Sequence, residues 1–400
     1  MLELEKSIEG LLRWVEARHY KGYEPADGNA SPLRVFTFGN TFLQRMLQQL
    51  VLRSPVNIRP FVGIYPTESP QARGYMVSGY IMMYKITDQA EFRDRAIMCL
   101  NWLEQNKSPG YSQYCWGNHF PYATRSGKLP KREPIIVWTV LIGFAFLDAY
   151  EALGDPEYLE VALSIRDWII GLPREQTPRG SCLSYHAFKQ TSIHNSNMMG
   201  AAMLARTAKL AEDRTGLDVA AEAMRYSCAR QLPDGAWLYG EAPNQRWIDN
   251  FHTGYNLDSL KCYIECTGDN SFDGNLRLGY RFFRDNFFTS EGCPKYYQNK
   301  TYPIDIQCAA QAIDTLAGFG TYDPEALGFA FKVADWTIRN MQDRDGYFYY
   351  RDLGWIKVRT PLMHWGQATM FKALARLLSK TESYARVQSD TGASAPVTAW

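Results

Sequence analysis

Several features that would commit a chain to a particular class are scarce or missing in this sequence. Its 400 residues carry 43 Lys+Arg against 42 Asp+Glu. A net charge of +1 gives no global field favouring nucleic acid, an anionic membrane or a highly acidic partner. No stretch approaches the roughly 20 apolar residues of a membrane span. The opening segment lacks the uninterrupted apolar core, about 7–15 residues, that a signal peptide needs. The expectation is a cytoplasmic protein without membrane insertion. The eight cysteines (Cys99, Cys115, Cys182, Cys228, Cys262, Cys266, Cys293, Cys308) contain no C-x-x-C pair. Cys262 and Cys266 would share a helix face, but no second pair completes a metal site. Free thiols used as small buried apolar groups are expected, with no disulfide framework, metal or cofactor.

What is present is helix, in two kinds. One kind is apolar, rich in small residues, and opens with polar or aromatic residues. Its members start near Arg73, Ile136, His194, His252, Asp305 and His364, about 55–60 residues apart, a spacing that signals a repeat. Between them lie one-faced amphipathic helices such as EFRDRAIMCLNWLEQN and EALGFAFKVADWTIRNMQ, with apolar residues at i, i+3, i+4 and i+7. An all-apolar helix belongs inside and a one-faced helix outside, so the pattern predicts an all-α fold, a single (α/α)6 toroid. Gln231-Leu-Pro-Asp234-Gly235-Ala-Trp237 fits Q-x-x-D-G-x-W, and Gln342 to Phe348 nearly repeats it. In each, an outer helix ends, Asp-Gly turns, and an aromatic packs back, which makes the motif a structural staple. The expected division is an N-terminal amphipathic helix and linker (1–30), the toroid (31–380), and a small, polar, disordered tail (381–400).

Five of the six histidines, His119, His186, His194, His252 and His364, fall in loops before inner helices or at their first turns. In a toroid those loops converge on one mouth of the ring, where a rigid scaffold positions functional residues. The same loops are aromatic and acidic. Tyr and Trp rings stack on the C–H faces of sugars while Asp, Asn, His and Arg bond the hydroxyls. Single-stranded nucleic acid also stacks on aromatics, but it needs a positive groove that these mixed loops do not promise.

The segments Ile248 to Tyr255, Tyr302 to Gln311 and His364-Trp365-Gly366-Gln367 resemble proteins of bacterial and archaeal polysaccharide-biosynthesis clusters, within the six-hairpin glycosidase-like superfamily. The resemblance, from roughly Ser69 to Ser379, implies the toroid and an oligosaccharide or polysaccharide substrate; it carries over no catalytic residue.

Hydrolysis of a uronate-containing oligosaccharide needs a proton donor and a group that activates water or attacks carbon. Asp249 and Asp305, ahead of inner helices in neighbouring repeats, are the candidate pair, although each could instead be an N-cap. Asp258 and Asp314 lie deeper, where burial demands a partner. Elimination or C5 epimerisation of a uronate would use His194, Asn195, Asn197, His252, Tyr255 and Arg359 as base, neutralising and protonating groups. An enzyme of the hydrolase type is the leading expectation, with Asp249, Asp305, His252 and His194 as its catalytic set. Tyr255, Asn195, Asn197, His364, Trp365, Arg359, His119, Trp116, Tyr185, His186 and Gln307 would bind the sugar. A non-catalytic glycan-binding component of polysaccharide assembly is a further reading. Isoprenoid cyclases and prenyltransferases also use toroids, but the D-x-D-D motif and an Asp/Cys/His zinc set are not evident here. Nothing in the sequence bears on oligomeric state.

Overall fold

The computed structural model of the chain describes residues 2–123 and 127–391, with side chains as far as Thr381. The helices are, in order, α1 (Leu2–Glu16), α2 (Thr41–Arg53), α3 (Pro70–Thr87), α4 (Ala90–Gln105) and α5 (Ile136–Leu153). There follow α6 (Pro156–Ile170), α7 (His194–Ala211), α8 (Leu217–Cys228), α9 (Asn250–Thr267) and α10 (Asp273–Asn286). The last are α11 (Ile306–Gly318), α12 (Ala326–Met341) and α13 (Thr369–Thr391).

Helices α3, α5, α7, α9, α11 and α13 each pack on the next, and α13 returns to α3, closing a ring. Ring helices meet protein on nearly every side, which is why their apolar residues show no single face. Helix α5 is the extreme case. By length and composition it could cross a membrane, in contrast to the reading from the sequence, and here it is a ring helix between α3 and α7. Across the closure, Phe371 of α13 meets Tyr80 of α3 edge-on at 5.0 Å. The outer helices α4, α6, α8, α10 and α12 bury one apolar face each against this ring. Their starts follow local chemistry: Asp155 accepts the Glu157 N–H at 3.0 Å just ahead of Pro156, a cap followed by proline at the first helical position.

Helix α1 fills the sixth outer position rather than preceding the ring. The two Asp-Gly turns demonstrate it. Gln231 Nε2 donates to the carbonyls of Gly235 (2.9 Å) and of Asn275 on α10 (3.0 Å). Gln342 Nε2 donates to the carbonyls of Gly346 (2.8 Å) and of Ser7 on α1 (3.1 Å). Thus α1 stands to α12 as α10 stands to α8. The N-terminal helix, expected as a separate segment within residues 1–30, closes the outer layer because only there can Leu4, Ile8, Leu11 and Val15 be buried. At the other end, residues 381–391 continue α13 instead of beginning a tail; the remainder of the expected tail, 392–400, lies outside the described residues.

Gly235 sits at φ +98°, and a Cβ there would lie 2.4 Å from the Leu278 carbonyl oxygen. Gly235→Ala is expected to destabilise the protein by about 2–3 kcal/mol through strain. Gly274→Ala, in the exposed first turn of α10 with nothing within 4 Å of its Cβ, serves as control. Thermal denaturation should show a lower Tm for the first variant and none of that loss for the second.

Short antiparallel strands decorate the loops before ring helices. They are β1 (Tyr122–Ala123) with β2 (Lys128–Leu129), β3 (Arg174–Thr177) with β4 (Gly180–Leu183), and β5 (Ile304–Asp305) with β6 (Arg351–Asp352), itself paired with β7 (Lys357–Val358). All eight cysteines are free thiols.

Candidate functional site

Below the mouth, the ring axis is filled by charge that is paired in place. Asp314 of α11 accepts from Lys372 (2.6 Å) and Arg376 (3.1 Å) of α13, and these cations hold its carboxyl below the usual range despite burial. Asp258 of α9 accepts from Gln311 (2.7 Å) and Thr315 (3.0 Å); burial pushes it up to about 6. Asp314 therefore has the partners that burial requires, whereas Asp258 is partnered at Oδ2 and has its Oδ1 buried without one.

Above this floor, at the end where the ring helices begin, lies a cavity of about 600 Å³. Of the candidates named from the sequence, His186, His252, His364, Asn195, Tyr185, Tyr255, Trp365 and Gln307 line it. Its walls are largely aromatic: Tyr239 stacks on Trp247 at 4.3 Å, and Phe251 meets Trp365 edge-on at 5.8 Å. Asn195 Oδ1, Gln307 Oε1, His186 Nδ1 and Glu24 Oε1, all on lining residues, are buried and have no protein partner. Buried polar atoms are rarely left so, and these four lie just behind the cavity surface, on residues that line it.

Two histidines in this wall stand beside buried carboxylates. His252, in the first turn of α9, holds Nδ1 against Asp249 at 2.9 and 2.7 Å. The Asp249 side chain is wholly buried and also accepts from Trp247 Nε1 (2.7 Å) and the His252 N–H (3.0 Å). It is at once the N-cap of α9 and the clamp on the imidazole. His364 places Nδ1 3.4 Å from Oε2 of buried Glu24 and stacks on Tyr75 at 5.7 Å. Asp249 thus takes one ring nitrogen of His252 and leaves Nε2 for other chemistry, while Glu24 stands beside His364 at 3.4 Å without a hydrogen bond to it. Between these groups, Tyr255 accepts from Gln307 Nε2 (2.7 Å), and its hydroxyl meets that of Tyr75 at 2.6 Å. Burial raises both phenols well above their ordinary range, so they act as neutral hydroxyls. Burial likewise pushes the His186 imidazole down.

The other candidates lie elsewhere. Asp305 caps α11 through the Gln307 N–H (3.0 Å) and pairs with Arg351 Nε (2.8 Å), its side chain fully buried; it does not line the cavity. Nor does Asp249, which stands behind two lining residues, His252 and Trp247. His194 is sealed behind the wall, between Ser227 (3.1 Å) and Glu241 (2.8 Å). Asn197 ties β4 to α8 by bonds to the Leu183 N–H and the Ala223 carbonyl, both at 2.8 Å. Trp116 is a core residue whose Nε1 donates to the Leu103 carbonyl at 3.0 Å. Arg359 is exposed and lies over Tyr349. His119 lines a separate, neighbouring cavity. Polar residues at the starts of ring helices thus divide between wall and scaffold according to side-chain direction, which loop position does not reveal.

Sequence reasoning missed Glu24, Arg45, Gln48, Trp138, Tyr239 and Arg246, all in the wall. Glu24 lies in what reads as linker. Arg45 and Gln48 belong to α2, whose packing helices do not include the ring and whose pattern gives no amphipathic signal toward it. Among the described residues, no group of three or more His, Cys, Asp or Glu could hold a metal ion.

No protein-family model matches the sequence, and no curated protein matches it. Solved structures do. A GH76 alpha-mannanase of Bacteroides thetaiotaomicron superposes with a TM-score of 0.62 at 14% identity, over 80% of this chain and 87% of the other. A sugar epimerase from a ruminal bacterium gives 0.60 at 14% identity, over 79% and 87%. An inactive variant of an alpha-1,6-mannanase from Salegentibacter, with two adjacent Asp→Asn changes and bound alpha-1,6-mannotriose, gives 0.58 at 14%, over 79% and 91%. At such identities the likeness establishes the fold alone, the (α/α)6 toroid.

Proposed function

We propose that the protein is a carbohydrate-active enzyme that epimerises a sugar, moving a proton at a carbon next to a carbonyl or carboxylate, with His252 and His364 as acid–base pair. The observation that carries this reading is a cavity-lining imidazole, His252, held at Nδ1 by the buried Asp249 carboxylate, with a second lining imidazole, His364, 3.4 Å from the buried Glu24 carboxylate. Unprotonated Nε2 of His252 takes the proton as the C–H bond breaks, and the electron pair moves onto the substrate oxygen as an enolate. Asp249 keeps the ring in the Nδ1–H tautomer and stabilises the imidazolium. Asn195, Gln307 and Arg246 are the wall groups available to donate to the enolate oxygen. His364 returns a proton to carbon, so atoms and charge balance without a further reactant.

Hydrolysis by a carboxylate pair, the expectation from the sequence, has less support. Glu24 is the one carboxylate among the described residues lining the cavity, and it faces His364. Two adjacent aspartates are the positions changed in the inactive mannanase, and this sequence contains no Asp-Asp pair. Arg45 and Arg246 in the wall can pair with a carboxylate, which keeps uronate-containing oligosaccharides among the substrates to try.

The test is proton NMR in D2O with a panel of reducing disaccharides and uronate oligosaccharides. Exchange of a single C–H for deuterium, with an epimer appearing, is the expected result. New reducing ends without exchange would instead assign hydrolysis, and an unsaturated product would assign elimination; either overturns epimerisation.

A further inference from the structure

Helix α2 turns most of its apolar side chains outward, with Val51 alone among them fully buried. It buries Gln44 and Gln48 (7% and 4% exposed) and turns Phe42, Met46 and Leu50 (67%, 53% and 62% exposed) to solvent. Hydrogen bonds fasten this rotation: Gln48 Oε1 accepts from Asn29 Nδ2 (3.0 Å) and from the Ala123 N–H (3.2 Å). The flanking turns extend the same apolar surface. Helix α2 packs on the turn Pro32–Thr37, which Ser31 ties to the Val62 carbonyl at 2.5 Å. This brings Phe36, Phe38 and Phe61, 67%, 87% and 89% exposed, beside the helix. Isolated exposed hydrophobic residues need no explanation, but a contiguous patch of this kind does.

The charge of the segment is equally one-sided. From Gly28 to Thr67 there is no aspartate or glutamate and there are four arginines, an asymmetry that the net charge of +1 conceals. Arg59 is consumed by buried Asp27; Arg34 and Arg53 are exposed, and Arg45 is half-buried. Arg34 also lines the neighbouring cavity, together with Lys131, Gln44 and His119, where His119 Nδ1 has no partner. Phe, Leu and Met on one face with Arg around it is the composition of a helix that lies in a membrane interface. A second copy of this chain fits poorly, because a two-fold contact through the patch sets arginine against arginine with no acidic residue in the segment to pair.

We propose that this face docks on an anionic phospholipid bilayer. Phe36, Phe38, Phe42, Met46, Leu50 and Phe61 enter the boundary between headgroups and acyl chains, and Arg34 and Arg53 meet the phosphates. The opposite side of α2 supplies Arg45, Gln48 and Leu52 to the 600 Å³ cavity, so docking brings that cavity close to the membrane surface. The inference is independent of the reaction the cavity performs.

The test is cosedimentation of the full chain with vesicles of phosphatidylcholine, with or without about one-third phosphatidylglycerol. The chain should sediment with the anionic vesicles and far less with the neutral ones, at about fivefold in partition per engaged arginine. The combined change Phe42→Glu, Met46→Glu and Leu50→Glu should abolish sedimentation without lowering Tm, since all three side chains are exposed. Arg34→Glu with Arg53→Glu should remove the preference for anionic lipid. A chain that stays in the supernatant with both vesicles overturns the proposal. So does a dimer in light scattering that the triple change dissolves while vesicles have no effect, because the patch would then belong to a second copy.

Discussion

His252→Ala is expected to lower kcat by about 10²–10⁴-fold with KM changed little, the range associated with loss of a positioned acid or base. The imidazole lies in the cavity wall, and its Nδ1 is held by Asp249 at 2.7 Å. Asp249→Asn should approach the same loss by a different route. An amide can donate to Nδ1 and favour the wrong tautomer, placing the hydrogen on the nitrogen that must accept the proton. Trp247 Nε1 bonds Oδ2 and the His252 N–H bonds Oδ1, so the amide keeps the cap or the Trp247 bond but not both, at a cost of about 1 kcal/mol. A Tm lowered by only a few degrees with strongly depressed kcat in Asp249→Asn is therefore the signature of positioning rather than folding. Steady-state kinetics on whichever sugar shows deuterium exchange reads the effect; wild-type turnover in His252→Ala would rule out its role as base.

Asp305→Ala should do the reverse. Its carboxylate is fully buried, caps α11 and pairs with Arg351. Its removal strands a largely buried guanidinium, a class of change that costs about 3–5 kcal/mol, with roughly 1 kcal/mol more for the lost cap. Thermal denaturation should show Tm falling by roughly 5–10 °C in a chain of this size. Among molecules that remain folded, measured well below Tm, kcat should stay within a few-fold of wild type, because Asp305 is screened from the cavity. Adding Arg351→Met should recover part of the stability, since replacing both members of a buried pair removes the unpaired charge. A large fall in kcat at unchanged Tm would return Asp305 to the catalytic set. The two variants thus separate two aspartates that look alike in the sequence.

That contrast shows where sequence reading succeeds and where it stops. The ring of hairpins was legible because periodicity is local: whether a helix is apolar on one face or all round depends on neighbours three and four residues away. The spacing of such segments then counts the hairpins. The mouth of the ring was legible for a related reason, since loops that precede ring helices must emerge at one end. Within those loops, His252 and Asp305 have equal standing in the sequence. Tertiary structure alone separates them, because His252 in the first turn of α9 faces the cavity while Asp305 in β5 pairs with β6, which brings Arg351 to it.

The same limit explains α1, α2 and Glu24. The amphipathic pattern of α1 was plain, but its place as the sixth outer helix depends on the chain's two ends meeting, a contact between Ser7 and Gln342. Helix α2 buries Gln44 and Gln48 and exposes Phe42, Met46 and Leu50, so the rule that apolar residues point inward fails for most of it. Glu24 becomes part of the site only because the segment ahead of α2 folds over the mouth and meets His364. By itself the sequence determined the fold and the end of the ring that carries the site. Which carboxylates serve the cavity, which serve the scaffold, and which apolar face is left for a partner were decided by contacts between residues far apart in the chain, for which local periodicity carries no signal.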